Sequence, residues 1–440
     1  MPKFWRDEAI PFEIARSFTE TGKLDVVVAP GVVEKRSYLT HATGFPVTLT
    51  LALFFKLFGV GIFQSRFFMI IWIMLAVLTL FYVLKNFFDP EAAIVGTLFV
   101  ATFASFYANG RTSTGEIPGF FFLILALFLL YKKERYVLGG MFLALAAVTK
   151  PSIYLLVFPA FLLELVFLRR SDFFSRATYT ALGAIPVFLF WILIIIPSPF
   201  SVSSWADAIE FYRYPFDEPS VFSKLPGILP SLIGHTTILY FGALSLLLLV
   251  AYARNTFSNS AKRLVMFTFL YGVFAFFYFM RSPGWLRFLI AYELLVLALL
   301  FPALRFFAKK FPVTPRIFAA GLILVQSVNF LFYSNILSGH AYVDTGRFIN
   351  EEILKKNETI GFMYTPILAS FIASNRKYQI VRINSRNVFG INSLALPREE
   401  LPTYILIPGS AYGEYRARLE NDYGQKEVAN INGYKIFRKK

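Results

Sequence analysis

Charged side chains are few in this chain, and the ones beside its apolar segments are of types that do chemistry. Two adjacent acids, Asp7 and Glu8, open the stretch RDEAIPFEIARSF ahead of any hydrophobic span. Carboxylates can act as general bases, whereas Arg and Lys can hold phosphate. The other candidates flank apolar runs: Arg111 and Glu116 in YANGRTSTGEIPGFFF, Lys150 in LAAVTKPSIY, and Arg281, Arg287 and Glu293 in MRSPGWLRFLIAYELL.

Most of these groups also have a simpler interpretation. Acids such as Asp7 and Glu8 stabilise the N-terminus of a helix in a solvated turn. Arg111 and Glu116 fit a pair that anchors a helix at a membrane interface, and Glu293 fits a salt bridge to a neighbouring Arg. A lone Lys150 in a tight turn on the less basic side of a membrane is costly, which indicates a function.

Composition sets the class of protein that must position these groups. Of 440 residues, 57% are hydrophobic and only 16% are charged. A soluble domain of this length has no interior that could hide so much apolar surface. The sequence therefore predicts a polytopic α-helical membrane protein. The absence of Cys excludes disulfides and thiolate metal sites. The net charge of +16 fits basic cytoplasmic loops better than nucleic-acid binding.

The distribution of Lys and Arg predicts the topology. Ten apolar segments have lengths close to a membrane crossing: 66–84, 92–108, 117–131, 136–149, 151–168, 177–197, 230–251, 264–280, 285–304 and 317–334. Alternate connections are strongly basic, and the positive-inside rule makes them cytoplasmic. The N-terminal segment, the 109–116 and 198–229 loops and the C-terminal domain then share the extracytoplasmic side. The apolar part of 41–59 is short for a crossing, so we expect a half-inserted helix there.

The chain divides into three predicted parts. Residues 1–61 form a first extracytoplasmic loop with juxtamembrane helices, and residues 62–334 form the transmembrane module. Residues 340–440 alternate strand and helix patterns and predict a small extracytoplasmic α/β domain. ETIGFMY, YQIVRI and TYILIPG are predicted strands, TPILASFIAS and AYGEYRARLEN are predicted helices, and a hairpin is expected to turn at Asn432-Gly433.

The order of these motifs resembles the GT-C membrane glycosyltransferases, in the branch of protein O-mannosyltransferases and the lipid A aminoarabinose transferase. RDEAIPFEIARSFTETGKL resembles the family's first-loop Asp-Glu signature. FPVTLTLALFFKLFGVGIFQSRFF, GRTSTGEIP, LGGMFLALAAVTKPS and WLRFLIAYELLVLALL are similar to its later motifs in the same order. Together the matches span residues 5–300.

The resemblance implies an inverting transfer of a sugar from a polyprenyl-phosphate carrier on the extracytoplasmic side of the plasma membrane. Asp7 would be the catalytic base, and Glu8 would support it or bind the acceptor. Arg111 and Glu116 would line the same cavity, and Lys150 and Arg287 would hold the carrier phosphate. The sugar stays open (mannose-like, or another hexose or pentose), as does the acceptor (protein, lipid or glycan).

The chain departs from the family pattern in three ways. The transmembrane helix that precedes the Asp-Glu loop in relatives has no counterpart ahead of Asp7, and the late Pro is replaced in Ala291-Tyr292-Glu293. The family's acid before its proline motif is also missing, with His41 near that place and Glu34 the nearest carboxylate. A divalent metal therefore has no clear ligand set in this sequence, and metal dependence stays open.

Two functions of other classes compete with the transferase. A secondary transporter would show internal repeats and charges near the membrane midplane, but no repeat is evident and the charges cluster at one face. A non-catalytic membrane scaffold would present the α/β domain outward and would have no cavity around Asp7.

Overall fold

The computed structural model describes most of the chain, and all statements below concern those residues. The described residues are 6–34, 37–168, 170–196, 198–213, 220–223, 236–254, 257–307, 313–336, 340–354, 357–373, 376–381, 400–423 and 427–440. The first part of the predicted span 230–251, and the end of the predicted strand YQIVRI, lie outside them.

The first segment is built from two helices and a small hairpin. Helix α1 places both acids in its first turn, where they compensate the partial positive charge of the helix N-terminus. The short apolar segment near residue 50 forms a helix of 14 residues, too short to cross about 30 Å of hydrocarbon. The elements are α1 (Arg6–Thr21), β1 (Val27–Ala29), β2 (Val32–Val33), α2 (Ser37–Thr40) and α3 (Phe45–Phe58).

The membrane part is a bundle of apolar helices, as predicted. Among the described residues, six helices are long and apolar enough to cross a membrane, or seven if the bent pair α5 and α6 is one span. The helices are α4 (Ile62–Phe87), α5 (Pro90–Ala101), α6 (Ala104–Gly110), α7 (Glu116–Tyr131), α8 (Tyr136–Thr149), α9 (Pro151–Tyr154), α10 (Val157–Leu168), α11 (Phe173–Ile195), α12 (Val202–Arg213), α13 (Thr236–Ala253), α14 (Asn259–Arg281), α15 (Ile290–Phe307) and α16 (Val313–Ile336).

The basic connections meet at one end of the bundle. There Arg263 forms a bidentate pair with the buried Glu164, with N···O distances of 2.6 and 3.2 Å. Arg176 lies 3.5 Å from Glu134, and Glu134 also lies within 4.0 Å of Arg263. The charged groups proposed for chemistry lie elsewhere, beside α1.

The C-terminal part has a mixed five-stranded sheet of order β4-β3-β5-β7-β6. The strands β3, β4 and β5 are parallel, and β7 pairs antiparallel with β5 and β6. Its elements are α17 (Ala341–Phe348), β3 (Thr359–Met363), β4 (Lys377–Val381), β5 (Tyr404–Pro408), α18 (Gly409–Tyr423), β6 (Glu427–Ile431) and β7 (Tyr434–Arg438).

Two sequence predictions for this part are confirmed and one needs correction. The last two strands form a hairpin whose turn residues Asn432 and Gly433 both have positive φ, the geometry that favours Asn-Gly. The helix predicted from AYGEYRARLEN is α18. The helix predicted from TPILASFIAS is only a short 3-10 segment, Pro366–Phe371.

Helix α1 is fixed to both parts of the molecule. Towards the membrane part, the Phe12 and Phe55 rings meet edge-on at 5.2 Å. Towards the sheet, the buried Arg16 donates to the carbonyls of Ala369 and Ile372 and to the Tyr378 hydroxyl. The middle of α1 is therefore held in place from two directions.

Candidate active site

Glu8 is the buried member of the acidic pair. Its side chain is fully buried and pairs with Arg66 on α4 at 2.8 Å. The same Arg66 nitrogen donates to the backbone carbonyl of Arg111, and the Ser113 hydroxyl donates to the Glu8 carbonyl at 3.4 Å. The start of α1, the start of α4 and the 111–116 loop are thereby joined by polar contacts.

Asp7 is more accessible than Glu8 and faces another element. Its carboxylate forms an ion pair with Arg287, and the side chains of these residues are 44% and 26% exposed. The Arg287 guanidinium also lies over the Trp285 ring, 4.7 Å from its centroid. The 3-10 segment Leu286–Leu289, just ahead of α15, therefore carries a cation to the side of Asp7.

Arg111 is buried, and its hydrogen-bond donors are unsatisfied. The residue is 4% exposed, and none of its three guanidinium nitrogens has a hydrogen-bond partner among the described residues. Its guanidinium carbon lies 5.8 Å from the centroid of the Tyr107 ring. Burial, and next the charge of Arg66, lower the pKa of Arg111, while Tyr107 and then Glu8 act in the opposite direction. A buried guanidinium with unused donors calls for an anion that can accept several hydrogen bonds.

Lys150 and Glu116 form a second buried and weakly satisfied pair. Lys150 Nζ lies 3.9 Å from Glu116 Oε1, and neither carboxylate oxygen of Glu116 accepts a hydrogen bond from the described residues. Burial is the main reason that the pKa of Lys150 is lowered. Glu116 and Asp7 raise this pKa and Arg287 lowers it, so the four groups share one electrostatic environment.

Close backbone contacts set the positions of these side chains. The Gly44 amide donates to the Thr149 carbonyl at 3.0 Å, and the Thr43 hydroxyl donates to the Thr114 carbonyl at 2.9 Å. Gly115 has φ +90°, and a Cβ there would lie 2.7 Å from the Thr149 oxygen. Three connections, those before α3, α7 and α9, are thus packed against each other at backbone distance.

The structure brings the six predicted site residues together at one end of the bundle. Asp7, Glu8, Arg111, Glu116, Lys150 and Arg287 are linked by the contacts above, although they come from four separate stretches of the chain. Arg66 was missed as a site residue. It belongs to the quoted FPVTLTLALFFKLFGVGIFQSRFF stretch, and an Arg in the first turn of an apolar helix was the available signal.

For two further candidate residues, Glu293 and His41, the structure gives less support for a function. Glu293 is buried on α15, and no ion pair with an Arg is found for it in the described part of the chain. His41 is buried, with Nε2 3.0 Å from the Leu24 carbonyl oxygen, and burial lowers its pKa to about 4. The described residues contain no group of three or more His, Cys, Asp or Glu placed to hold a metal ion.

The chain has the fold of the GT-C membrane glycosyltransferases. Residues 44–195 match the sequence model of the dolichyl-phosphate-mannose-protein mannosyltransferase family. The resemblance predicted from the motifs is therefore confirmed over that segment. No curated protein sequence matches the chain significantly.

Solved structures of this fold resemble the whole chain. ArnT from Cupriavidus metallidurans bound to undecaprenyl phosphate has a TM-score of 0.69 and 13% identity, covering 99% of this chain and 94% of that one. The Archaeoglobus fulgidus oligosaccharyltransferase in the apo form has a TM-score of 0.57 and 12% identity, covering 95% and 68%. AglB from the same organism, in complex with an inhibitory peptide and a dolichol-phosphate, has a TM-score of 0.54 and 12% identity, covering 95% and 67%. At these identities the likeness concerns the fold, which is that of a multi-pass membrane protein.

Proposed function

We propose that this protein transfers a sugar from a polyprenyl-phosphate carrier to an acceptor on the extracytoplasmic side of the membrane, with inversion at the sugar carbon. The observation that carries the proposal is the buried guanidinium of Arg111, whose donors have no partner among the described residues. Leaving such a group buried costs free energy unless a ligand satisfies it. A phosphate offers several acceptor oxygens and a compensating charge.

The neighbouring cations fit the same ligand. Lys150 Nζ lies 3.9 Å from the Glu116 carboxylate, too far for a hydrogen bond, and Arg287 can exchange Asp7 for a phosphate oxygen. Three cations fixed before the reaction would stabilise the charge that develops on the departing phosphate with little reorganisation. The lipid tail of the carrier would lie among the apolar helices beside the site. The structure of ArnT from Cupriavidus metallidurans has such a ligand bound, undecaprenyl phosphate.

The two acids of α1 would have different tasks. Asp7 is accessible, so it can accept the proton of the acceptor's hydroxyl or amide as that group attacks the sugar carbon. In this step the bond from the acceptor to carbon forms, and the bond from carbon to the phosphate oxygen breaks with its electrons on the phosphate. Glu8 is fully buried against Arg66 and would position the 111–116 loop instead of exchanging protons.

The distribution of charge supports the proposed orientation of the site. The end of the bundle with Arg263, Arg176 and their neighbours is rich in Lys and Arg, which the positive-inside rule assigns to the cytoplasm. The Asp7 end and the C-terminal sheet then face outward, where a lipid-linked sugar would be presented.

The test is transfer of labelled sugar by the purified full chain in nanodiscs. The donor is undecaprenyl-phosphate mannose, the acceptor source is an envelope extract, and the matched variant is Asp7→Asn. We expect transfer by the wild type and none by the variant. Equal transfer by both would remove Asp7 as the base. If the protein moves the intact carrier across the bilayer without breaking the sugar–phosphate bond, it is a transporter and the proposal fails.

A further inference from the structure

We propose that a polar groove between α1, the β1–β2 hairpin and β4 binds an acidic sugar unit of the acceptor. This inference rests on the proposed function, because it names the acceptor class of the same enzyme. The groove has a volume of about 260 Å³ and lies at the junction of the membrane part with the C-terminal sheet. Its lining includes Glu13, Ser17, Lys23, Arg376, Lys377 and Tyr378.

The floor of the groove contains an unsatisfied acceptor. Glu13 is 2% exposed, and its Oε2 accepts hydrogen bonds from Arg16 and from the Tyr378 hydroxyl, the latter at 2.9 Å. Its Oε1 has no hydrogen-bond partner among the described residues. A buried carboxylate oxygen without a partner is costly, so it marks a position for an O–H or N–H donor of a ligand. Sugar hydroxyls are donors of this kind.

The rim of the groove is cationic. Lys23 and Lys377 are exposed, and neither forms an ion pair within the described part of the chain. Arg376 donates one long hydrogen bond to the Asn350 carbonyl, at 3.4 Å. The acid on this rim is Glu20. Since cations outnumber acids among the free groups, the ligand should carry a negative charge in addition to its hydroxyls.

The surrounding backbone favours a sugar over a peptide. Strand β4 is an edge strand of the five-stranded sheet, and such edges can bind peptides by adding a strand. Here β1 of the hairpin packs against β4 and covers that edge. Recognition in the groove must therefore come from side chains, and the polar ones available are hydroxyls, two carboxylates and cations.

The position of the groove suits an acceptor that extends towards the site. Glu13 and Ser17 lie on the same helix as Asp7, and a rise of ~1.5 Å per residue places them roughly 9–15 Å from it. A bound unit in the groove could thus present a hydroxyl two or three sugar units away to Asp7. The groove would select the acceptor, whereas Arg111 and its neighbours would hold the donor.

The experiment measures binding of two tetrasaccharides to the detergent-solubilised full chain by isothermal titration calorimetry. Hyaluronan tetrasaccharide is the acidic probe, and chitotetraose is the neutral probe of equal length. The variant Lys23→Ser/Lys377→Ser removes both rim amines, and Lys440→Ser is the matched control, because Lys440 is an exposed Lys that does not line the groove.

We expect the acidic tetrasaccharide to bind more tightly than the neutral one. The double variant should weaken this binding about three- to tenfold, and the control should leave it unchanged. Binding of undecaprenyl phosphate should be the same in all three proteins. Equal binding of the acidic probe by wild type and double variant overturns the inference, as does tighter binding of an acidic tetrapeptide than of either sugar. Sugar binding without any transfer activity would contradict the proposed function alone, so the two failures can be told apart.

Discussion

Arg287 pairs with the carboxylate of Asp7 while its guanidinium lies over the Trp285 ring. Arg287, which we propose holds the carrier phosphate, is therefore already paired with Asp7, the proposed base. Asp7 and the carrier phosphate would therefore compete for one cation. Binding of the carrier would draw Arg287 away and leave Asp7 free for the acceptor.

Replacing the base separates binding from turnover. Asp7→Asn should abolish sugar transfer, yet bind undecaprenyl phosphate as tightly as the wild type or up to about fivefold more tightly, because the competing carboxylate charge is gone. Carrier binding is measured by native mass spectrometry in the same detergent. A clear loss of carrier affinity would show that Asp7 and the phosphate do not compete.

The unsatisfied guanidinium predicts a loss of affinity without a loss of stability. Arg111→Gln should weaken carrier binding by roughly ten- to a hundredfold, since several charge-assisted hydrogen bonds are lost. The same variant should unfold at the same temperature as the wild type or higher, because a buried unpaired charge has been removed. Arg316→Gln, at an exposed pair with Glu91, is the control and should change neither quantity. A destabilised Arg111→Gln would indicate that the guanidinium has a structural partner.

Substitution of Glu8 should lower the stability of the protein, whereas substitution of Arg111 should not. Glu8→Gln leaves Arg66 without its carboxylate in a buried setting, so the free energy of unfolding should fall by about 2–4 kcal/mol. Thermal and denaturant unfolding measured by intrinsic fluorescence would report this change. Glu420→Gln, which breaks an exposed pair with Arg416, should have no measurable effect. Full stability of Glu8→Gln would remove the positioning role of this pair.

The pKa of Lys150 predicts how carrier binding depends on pH. Burial lowers this pKa from 10.5. Below the lowered pKa, Lys150 is charged and the protein binds the carrier with its full affinity. As the pH rises through the lowered pKa, Lys150 loses its charge and this part of the affinity is lost. The same shift makes the unfolded chain the stronger proton binder in that range, so this group's contribution to stability rises with pH. Lys150→Arg keeps the charge at every accessible pH and should remove the alkaline fall in affinity. If Lys150→Arg shows the same alkaline fall in carrier affinity as the wild type, another group causes the fall.

The close backbone contacts can be tested with glycine variants. Gly115→Ala introduces a side chain at φ +90°, with its Cβ 2.7 Å from the Thr149 oxygen. We expect a loss of about 1–3 kcal/mol in stability and a roughly ten- to a hundredfold drop in transfer, because Arg111 and Glu116 are displaced. Gly413→Ala lies within α18 with nothing within 4 Å, and is the control that should be neutral or slightly stabilising. Normal activity of Gly115→Ala would mean that the loop position is not critical.

Much of the architecture could be predicted from local patterns. Apolar length gives the membrane helices, alternation gives the strands of the sheet, and Asn432-Gly433 gives the final hairpin. The charged candidate residues could be singled out because charges are rare beside apolar segments, and the structure brings them together. Arg66 could be noticed as a charge at the start of an apolar helix, but its pairing with Glu8 could not be predicted, since only the fold brings the start of α4 beside Glu8. The contact of Gly44 with Thr149 could not be predicted either, because only the fold brings these two residues together.

The buried contacts of Arg16 limit how the membrane bundle and the C-terminal sheet of this protein can be recombined with other proteins. Arg16 and its partner Tyr378 are 362 residues apart in the chain, and a buried Arg that loses such partners is strongly destabilising. The membrane bundle and the C-terminal sheet are therefore coupled in stability through this buried contact. A chimera that joined this bundle to another protein's tail would be strongly destabilised unless that tail supplied matching groups for Arg16 and Glu13.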